Sequence, residues 1–292
     1  MQIKSLRVNT SNGLCVNLVT SIPLTLLVGL SGSGKSQILF YIYSVFQLLN
    51  GHSITNLADG EYEMCFTLNQ KEYRYFVYLH HHHPVIQHLW NPNDSSSLSI
   101  EEITPFLKPV KCLTFTPQFR QSNLLIKSYL RATKEQISEI LSIFQSIFDS
   151  VEDIKLINRK QAALELFFKE KGQDYLEIYK MSDGMLKTLY YLTEFVLSEP
   201  GTLLLIDEFE NGLGLNCMGP LLEEVIGRDD LQLILSSHHP YVINNIPSQF
   251  WRIITRQQGM IQVHTDEEFG IGQTKYDAFF ELINRLEFEG GV

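Results

Sequence analysis

The sequence predicts an α/β fold: a mixed, mostly parallel sheet with flanking helices, joined to an antiparallel β subdomain and a small helical lobe. Three observations carry this. Residues 24–29 (LTLLVG) and 202–206 (TLLLI) are nearly unbroken apolar runs, as expected of strands buried on both faces. From residue 182 onward, helical and strand-like periodicities alternate, which implies parallel strands joined by crossover helices. Between 61 and 90, three stretches of alternating polarity are separated by short turns, the pattern of antiparallel pairing.

Each element follows from its own pattern. Residues 2–8 and 14–19 alternate like strands around the turn Ser11-Asn12-Gly13. Residues 35–49 read as a helix, because Ile38, Tyr41, Ile42, Val45, Phe46 and Leu49 share one face and Gly51 follows. Residues 61–68, 72–79 and 84–90 are the antiparallel strands, and 91–99 (NPNDSSSLS) a polar surface loop. A strand is expected over 109–115 and a helix over 134–149, where Ile137, Ile140, Leu141, Phe144, Ile147 and Phe148 recur at helical spacing. Three strand-like stretches lie near 151–158, 161–168 and 174–180. The alternation then runs helix 182–198, strand 202–206, helix 216–227, strand 231–236, helix 240–245, strands 250–255 and 260–264, and helix 273–286. We expect one domain over 1–292, with an antiparallel β subdomain at 52–115 and a variable helical and strand lobe at 116–181.

Composition limits the function. The chain has 292 residues, 23 Lys and Arg against 33 Asp and Glu, and a formal net charge of −10. That excludes a globally basic nucleic-acid coat protein, leaving only local basic strips. With 44% hydrophobic and 19% charged residues the chain can bury a full core. Cys15, Cys65, Cys112 and Cys217 are scattered without a CxxC pair, as in free thiols of a reducing compartment. No apolar run is long enough to cross a bilayer, and the N-terminus alternates from its start, so a cytoplasmic protein without a membrane partner is expected.

Residues Gly29-Leu30-Ser31-Gly32-Ser33-Gly34-Lys35-Ser36 fit GxxxxGK[ST] between a buried strand and a helix. Glycines let successive N–H groups turn inward toward phosphate oxygens, and the helix N-terminus adds its positive dipole end. Lys35 would reach the β- and γ-phosphates and the Ser36 hydroxyl would bind Mg²⁺. A dinucleotide fingerprint fails on spacing, because its third glycine would fall on Gln37. Asp207 and Glu208 stand just after the apolar run 203–206, at the strand end where open parallel sheets bind ligands. Asp207 suits Mg²⁺, directly or through water, and Glu208 suits proton acceptance from an attacking water.

Met181-Ser182-Asp183-Gly184-Met185-Leu186-Lys187 opens an apolar helix with Ser182 as its N-cap. The order phosphate loop, SDGxxK, LLLIDE, Ser236-Ser237-His238 resembles the ABC-type ATPases, and the phrases MSDGMLKTL, LLLIDEFENGLG and LILSSHHPYVINN look most like the OLD, RecF and SMC-like branch. The resemblance implies a P-loop ABC-type ATPase head that binds ATP and Mg²⁺. It implies that two copies sandwich two ATP molecules, with Ser182 and Gly184 touching the γ-phosphate held by the other copy. Glu208 and His238 would be catalytic, His238 sensing the γ-phosphate, with His239 as its neighbouring alternative. Asn211, Gly212 and Leu213 would form the loop crossing the dimer interface, and Gln118, or else Gln121, would couple nucleotide to lobe. Asp183 stands in place of the first glycine of LSGGQ, and Ser31 in place of an asparagine frequent in this branch.

OLD proteins carry a TOPRIM nuclease after the histidine. Here 54 residues follow His238 (292 − 238 = 54), so the resemblance implies a separate effector chain, a nuclease or toxin, in anti-phage defence. Other readings are a transporter ATPase subunit, an ATP clamp that does not hydrolyse, and a RecF-type repair ATPase. The basic residues Arg120, Lys127, Arg131 and Lys134, and the set Lys155, Arg159 and Lys160, are either solvated surface or contacts to a DNA backbone. The run His80–His83 reads as a loop or hairpin tip, since four consecutive side chains point in different directions and chelate one ion poorly.

Overall fold

The computed structural model describes residues 1–20, 23–54, 56–92, 97–113, 123–159, 163–271 and 281–286. Its chain order begins with β1 (Gln2–Thr10), β2 (Cys15–Val19) and β3 (Leu24–Val28), followed by α1 (Lys35–Leu49). Next come β4 (Gly60–Leu68), β5 (Lys71–His80), β6 (His83–Trp90), β7 (Ser97–Leu98), α2 (Ile100–Ile103) and β8 (Val110–Leu113). Then α3 (Leu124–Arg131), α4 (Lys134–Ile147), β9 (Val151–Arg159), β10 (Ala163–Glu170), β11 (Leu176–Glu177) and α5 (Asp183–Leu197). The chain continues with β12 (Leu203–Ile206), α6 (Leu215–Gly227), β13 (Gln232–Ser236), α7 (Pro240–Asn245), β14 (Trp251–Gln257), β15 (Met260–His264) and α8 (Asp266–Phe269). Of the expected last helix, residues 281–286 are helical and 272–280 lie outside the described residues.

These elements divide into two compact units. The first comprises Met1–Leu113, Pro200–Phe209 and Asp229–Val292, the second Thr114–Glu199 and Glu210–Arg228. The first unit holds two sheets. One is antiparallel in the order β2-β1-β4-β5-β6-β7, and the other runs β15-β14-β3-β13-β12-β8. The hairpin β1–β2 thus joins the antiparallel sheet, while β8 pairs in parallel with β12.

The central strands explain the apolar runs. Every residue of β3, β12 and β13 is buried. They pair in parallel, with Leu26 opposite Leu235 and Ile206 opposite Leu235 from the other side. By contrast β1 and β4 alternate. Leu6, Val8, Tyr62, Met64 and Phe66 face the core with Ile38, Ile42 and Val45 of α1, whereas Arg7, Asn9 and Glu61 face outward. Two periods, two and 3.6 residues, therefore meet in one core.

The histidine run is the tip of the β5–β6 hairpin. His81 and His82 adopt left-handed φ values of 49° and 61°. Asp59 accepts their backbone N–H groups at 2.9 and 3.0 Å, and these bonds hold its carboxyl below the usual carboxylate range. The His82 ring Nδ1 lies 2.7 Å from the Leu57 carbonyl. Among the described residues, no group of three or more His, Cys, Asp or Glu side chains could hold a metal ion by itself.

The second unit packs α4 against α5 and α5 against α6, with a sheet ordered β11-β10-β9. Phe144 and Ile140 of α4 are buried, as are Leu189, Tyr191 and Phe195 of α5. The stretch expected as a third strand over 174–180 gives only the two-residue β11, because 178–180 coils into a 3₁₀ turn before α5. The short α3 was not marked by the sequence pattern as a helix. Its buried residues are only Leu125 and Tyr129. No described helix is long and apolar enough to cross a membrane.

Because Leu205 of β12 is buried between parallel partners, Leu205→Ala should cost about 2–5 kcal/mol in chemical denaturation. A cost under about 1 kcal/mol would show that this strand is not tightly packed.

Candidate functional site

In the first unit the parallel strands β3, β13 and β12 are neighbours, so their C-terminal ends lie along one edge of the sheet. With strands about 4.8 Å apart, the end of β12 lies about 10 Å from the end of β3. From these three ends come the glycine loop, Asp207-Glu208 and Ser237-His238.

The glycine loop runs from Gly29 to Gly34 and enters α1. Gly29 has φ 152°, and a Cβ there would lie 2.3 Å from the Ile254 carbonyl oxygen. Gly34, the residue before the first turn of α1, has φ 111°, and its Cβ would lie 2.3 Å from Ile261 Cδ1. Both positions therefore require glycine on two grounds, conformation and space. Between them, Ser31 and Gly32 are exposed, while Ser33 is buried and its Oγ has no hydrogen-bond partner. The N-terminus of α1 has no side-chain cap and no acidic residue in its first turn. Lys35 Nζ donates to the carbonyls of Gly29 at 2.8 Å and Leu30 at 3.0 Å, so its ammonium lies over the loop, and Ser36 is exposed beside it. An uncapped helix start, an unsatisfied buried hydroxyl and a lysine over the loop suit an anion with several oxygens. A cavity of about 290 Å³ adjoins the loop, lined by Leu30, Gly32, Thr255, Arg256 and Leu286 among others.

At the end of β12, Asp207 is half-buried and Glu208 is exposed. Glu208 has φ 47°, a left-handed conformation unusual for a non-glycine residue. Ser236, the last residue of β13, holds this segment. Its Oγ donates to Asp207 Oδ1 at 2.5 Å and accepts from Glu208 N at 2.8 Å, and its carbonyl accepts from Phe209 N at 3.0 Å. Cys112 on β8 is nearby. Burial, and to a lesser extent the Asp207 carboxylate, push its thiol up to about 11.

After Ser237 the two histidines differ. His239 Nδ1 accepts from Tyr241 N at 3.2 Å and caps α7, and its own N–H donates to Ser237 Oγ at 3.1 Å. His238 is exposed at the sheet edge. The neighbours thus differ: His239 shapes the helix start, whereas His238 is exposed just past the end of β13.

In the second unit, Ser182 caps α5 by accepting from Met185 N at 3.2 Å. Gly184 in the first turn lies close to the segment 212–214, and a Cβ there would be 3.3 Å from the Gly212 carbonyl oxygen. Lys187, nearly fully buried, donates to the Asn211 carbonyl and lies 5.0 Å from the Tyr191 ring centre. The SDGxxK phrase marked Lys187, but its tie to Asn211 spans 24 residues and was not legible. Gln118 and Gln121 lie outside the described residues, as do Arg120 and Lys160. Lys155 is engaged, 3.7 Å over the Tyr175 ring and 3.9 Å from Asp153.

A family model described as "AAA domain, putative AbiEii toxin, Type IV TA system" matches residues 85–244, more than half of the chain. No curated protein sequence matches the chain. Among solved structures, an SMC head bound to the C-terminal winged-helix domain of ScpA has a TM-score of 0.64 at 17% identity, covering 91% of this chain and 98% of its own. The SMC head domain from Thermotoga maritima gives a TM-score of 0.59 at 16% identity, covering 91% and 99%. An SMC head with an extended coiled coil from Pyrococcus furiosus, bound to the C-terminal domain of ScpA, gives 0.59 at 15% identity, covering 90% and 96%. The fold is therefore that of an SMC head domain.

Gly29→Ala should lower stability by about 1–3 kcal/mol and weaken nucleotide binding, measured by thermal melting and titration with a fluorescent ATP analogue. Parental values in both would refute the close approach to Ile254.

Proposed function

We propose a function that starts from one premise: the chain belongs to the AAA-domain family matched over residues 85–244. It is an ATP-binding and ATP-hydrolysing switch that dimerises around two ATP molecules and controls a separate effector, a nuclease or toxin, in anti-phage defence. The observation that carries the hydrolytic reading is the delivery of a phosphate loop, an Asp-Glu pair and an exposed histidine to one edge of one parallel sheet.

In this reading the N–H groups of the loop and of the first turn of α1 cradle the phosphates, and Lys35 moves from the Gly29 and Leu30 carbonyls to the β- and γ-phosphates. The unsatisfied Ser33 hydroxyl gains an acceptor. Ser36 and Asp207 would hold Mg²⁺, which when bound neutralises charge on the β- and γ-phosphates. Glu208 accepts a proton from water as the new O–P bond forms and the bond to the bridging oxygen breaks, leaving ADP and phosphate. His238 contacts the γ-phosphate from the same copy. Ser182 and Gly184 at the start of α5 approach the γ-phosphate of the other copy, and Asn211 to Leu213 lie at that interface.

Two findings support a protein effector. The family description names a toxin of a type IV system, and two of the SMC heads are solved with ScpA bound. The net charge of −10 favours a partner with a basic face over DNA as the main contact.

Lys35→Ala should abolish nucleotide binding in calorimetry, and retained parental affinity would overturn the phosphate-loop assignment. Glu208→Gln should slow hydrolysis by about 10²–10⁴-fold and accumulate an ATP-bound dimer in light scattering. Parental turnover in that variant would remove Glu208 from its role.

A further inference from the structure

The expected site residues leave one group unexplained. Ser236 is fully buried on β13, and within the phrase Ser236-Ser237-His238 only the histidine has an expected role. Yet it makes three hydrogen bonds to three successive residues of the neighbouring strand end. Its hydroxyl donates to Asp207 Oδ1 at 2.5 Å and accepts from Glu208 N at 2.8 Å, and its carbonyl accepts from Phe209 N at 3.0 Å.

The middle residue of that segment is the strained one. Glu208 has φ 47°, where an L side chain crowds its own backbone, and such conformations persist only where the surroundings over-determine them. Here the over-determination is visible. Phe209 is fully buried and fixes the segment on one side. On the other, the parallel pairing of Ile206 with Leu235 fixes the strand before the turn. Ser236 Oγ accepts the Glu208 N–H at the strand end.

A single hydroxyl uses its proton on Asp207 and a lone pair on Glu208. The donated proton fixes the orientation of the Asp207 carboxylate through Oδ1. The accepted N–H turns the Glu208 peptide so that its side chain leaves the sheet edge toward solvent.

We propose that Ser236 is a positioning residue that locks Asp207 and Glu208 in their working orientation through this one hydroxyl. It lies two residues before His238 on the same strand end. Any shift of β13 that moves His238 therefore also moves the hydroxyl that sets Asp207 and Glu208. The proposal rests on the hydrolytic reading above for its consequence in turnover, but not for its structural content.

The test uses the full chain with Ser236→Ala and Ser236→Thr. In Ser236→Ala, a crystal structure should show Glu208 at negative φ. Its kcat should fall by about tenfold or more, while the affinity for a fluorescent ATP analogue in the absence of Mg²⁺ stays within about twofold of the parent. In a separate titration of Mg²⁺ into the protein with the analogue bound, half-saturation should move to higher concentration, because Asp207 loses its orienting donor. Ser236→Thr keeps the hydroxyl and should recover both the Glu208 geometry and the Mg²⁺ dependence. Glu208 remaining left-handed in Ser236→Ala, or parental kcat together with parental Mg²⁺ half-saturation, would overturn the proposal. If the parent binds ATP without hydrolysing it, the hydrolytic reading fails, and the Glu208 backbone with the Mg²⁺ titration still decides the lock.

Discussion

The parallel pairing of β3, β13 and β12 is the constraint on which the chemistry of the first unit depends. The three strands are buried throughout and paired in register, so their ends cannot shift independently without breaking ladder hydrogen bonds inside the core. Loops are the mobile parts of most proteins, but here each functional loop is only one to a few residues from a strand end that cannot move far. The sheet acts as a ruler. It sets the spacing between phosphate cradle, carboxylates and histidine by the fixed distance between strands, and the side chains need only point outward from it.

How much of this was readable in advance depended on how local the cause was. The glycine loop was legible because all eight of its residues, 29–36, run without a break from the strand before into the helix after, and because Gly29 and Gly34 sit at φ values that favour glycine. Asp207 and Glu208 were legible from four apolar residues followed by two acids. The lock by Ser236 was not, because it joins positions 29 and 28 residues apart through a pairing that no local pattern encodes. The two serines before His238 look alike in sequence. In the fold, one turns toward β12 and the other bonds the His239 backbone. Likewise, the two histidines separate only once α7 is seen to need a cap. The 3₁₀ turn at 178–180 shows the opposite failure. An alternating pattern there suggested a strand, but the chain must turn to present Ser182 as the N-cap of α5, and that requirement won.

In the second unit, a buried cation performs a similar task by other means. Lys187 carries a charge into a region where an ammonium is costly unless well partnered. Its bond to the Asn211 carbonyl and its position over Tyr191 supply that compensation. The consequence is mechanical, because the helix opened by Ser182 and the segment 211–214 are fastened to each other inside one unit. Gly184 lets that segment approach closely, where an added Cβ would meet the Gly212 carbonyl oxygen at 3.3 Å and require it to give way slightly.

The left-handed backbone at Glu208 also says something about how such a protein can be improved. A glycine or asparagine would adopt that φ at lower cost, so position 208 is held by its carboxylate against the preference of the main chain. Laboratory selection for heat tolerance alone would favour exchanging this residue for one that adopts its φ at lower cost. Screens that aim to harden this scaffold must therefore keep position 208 fixed, or they will erase the carboxylate that its backbone is strained to present.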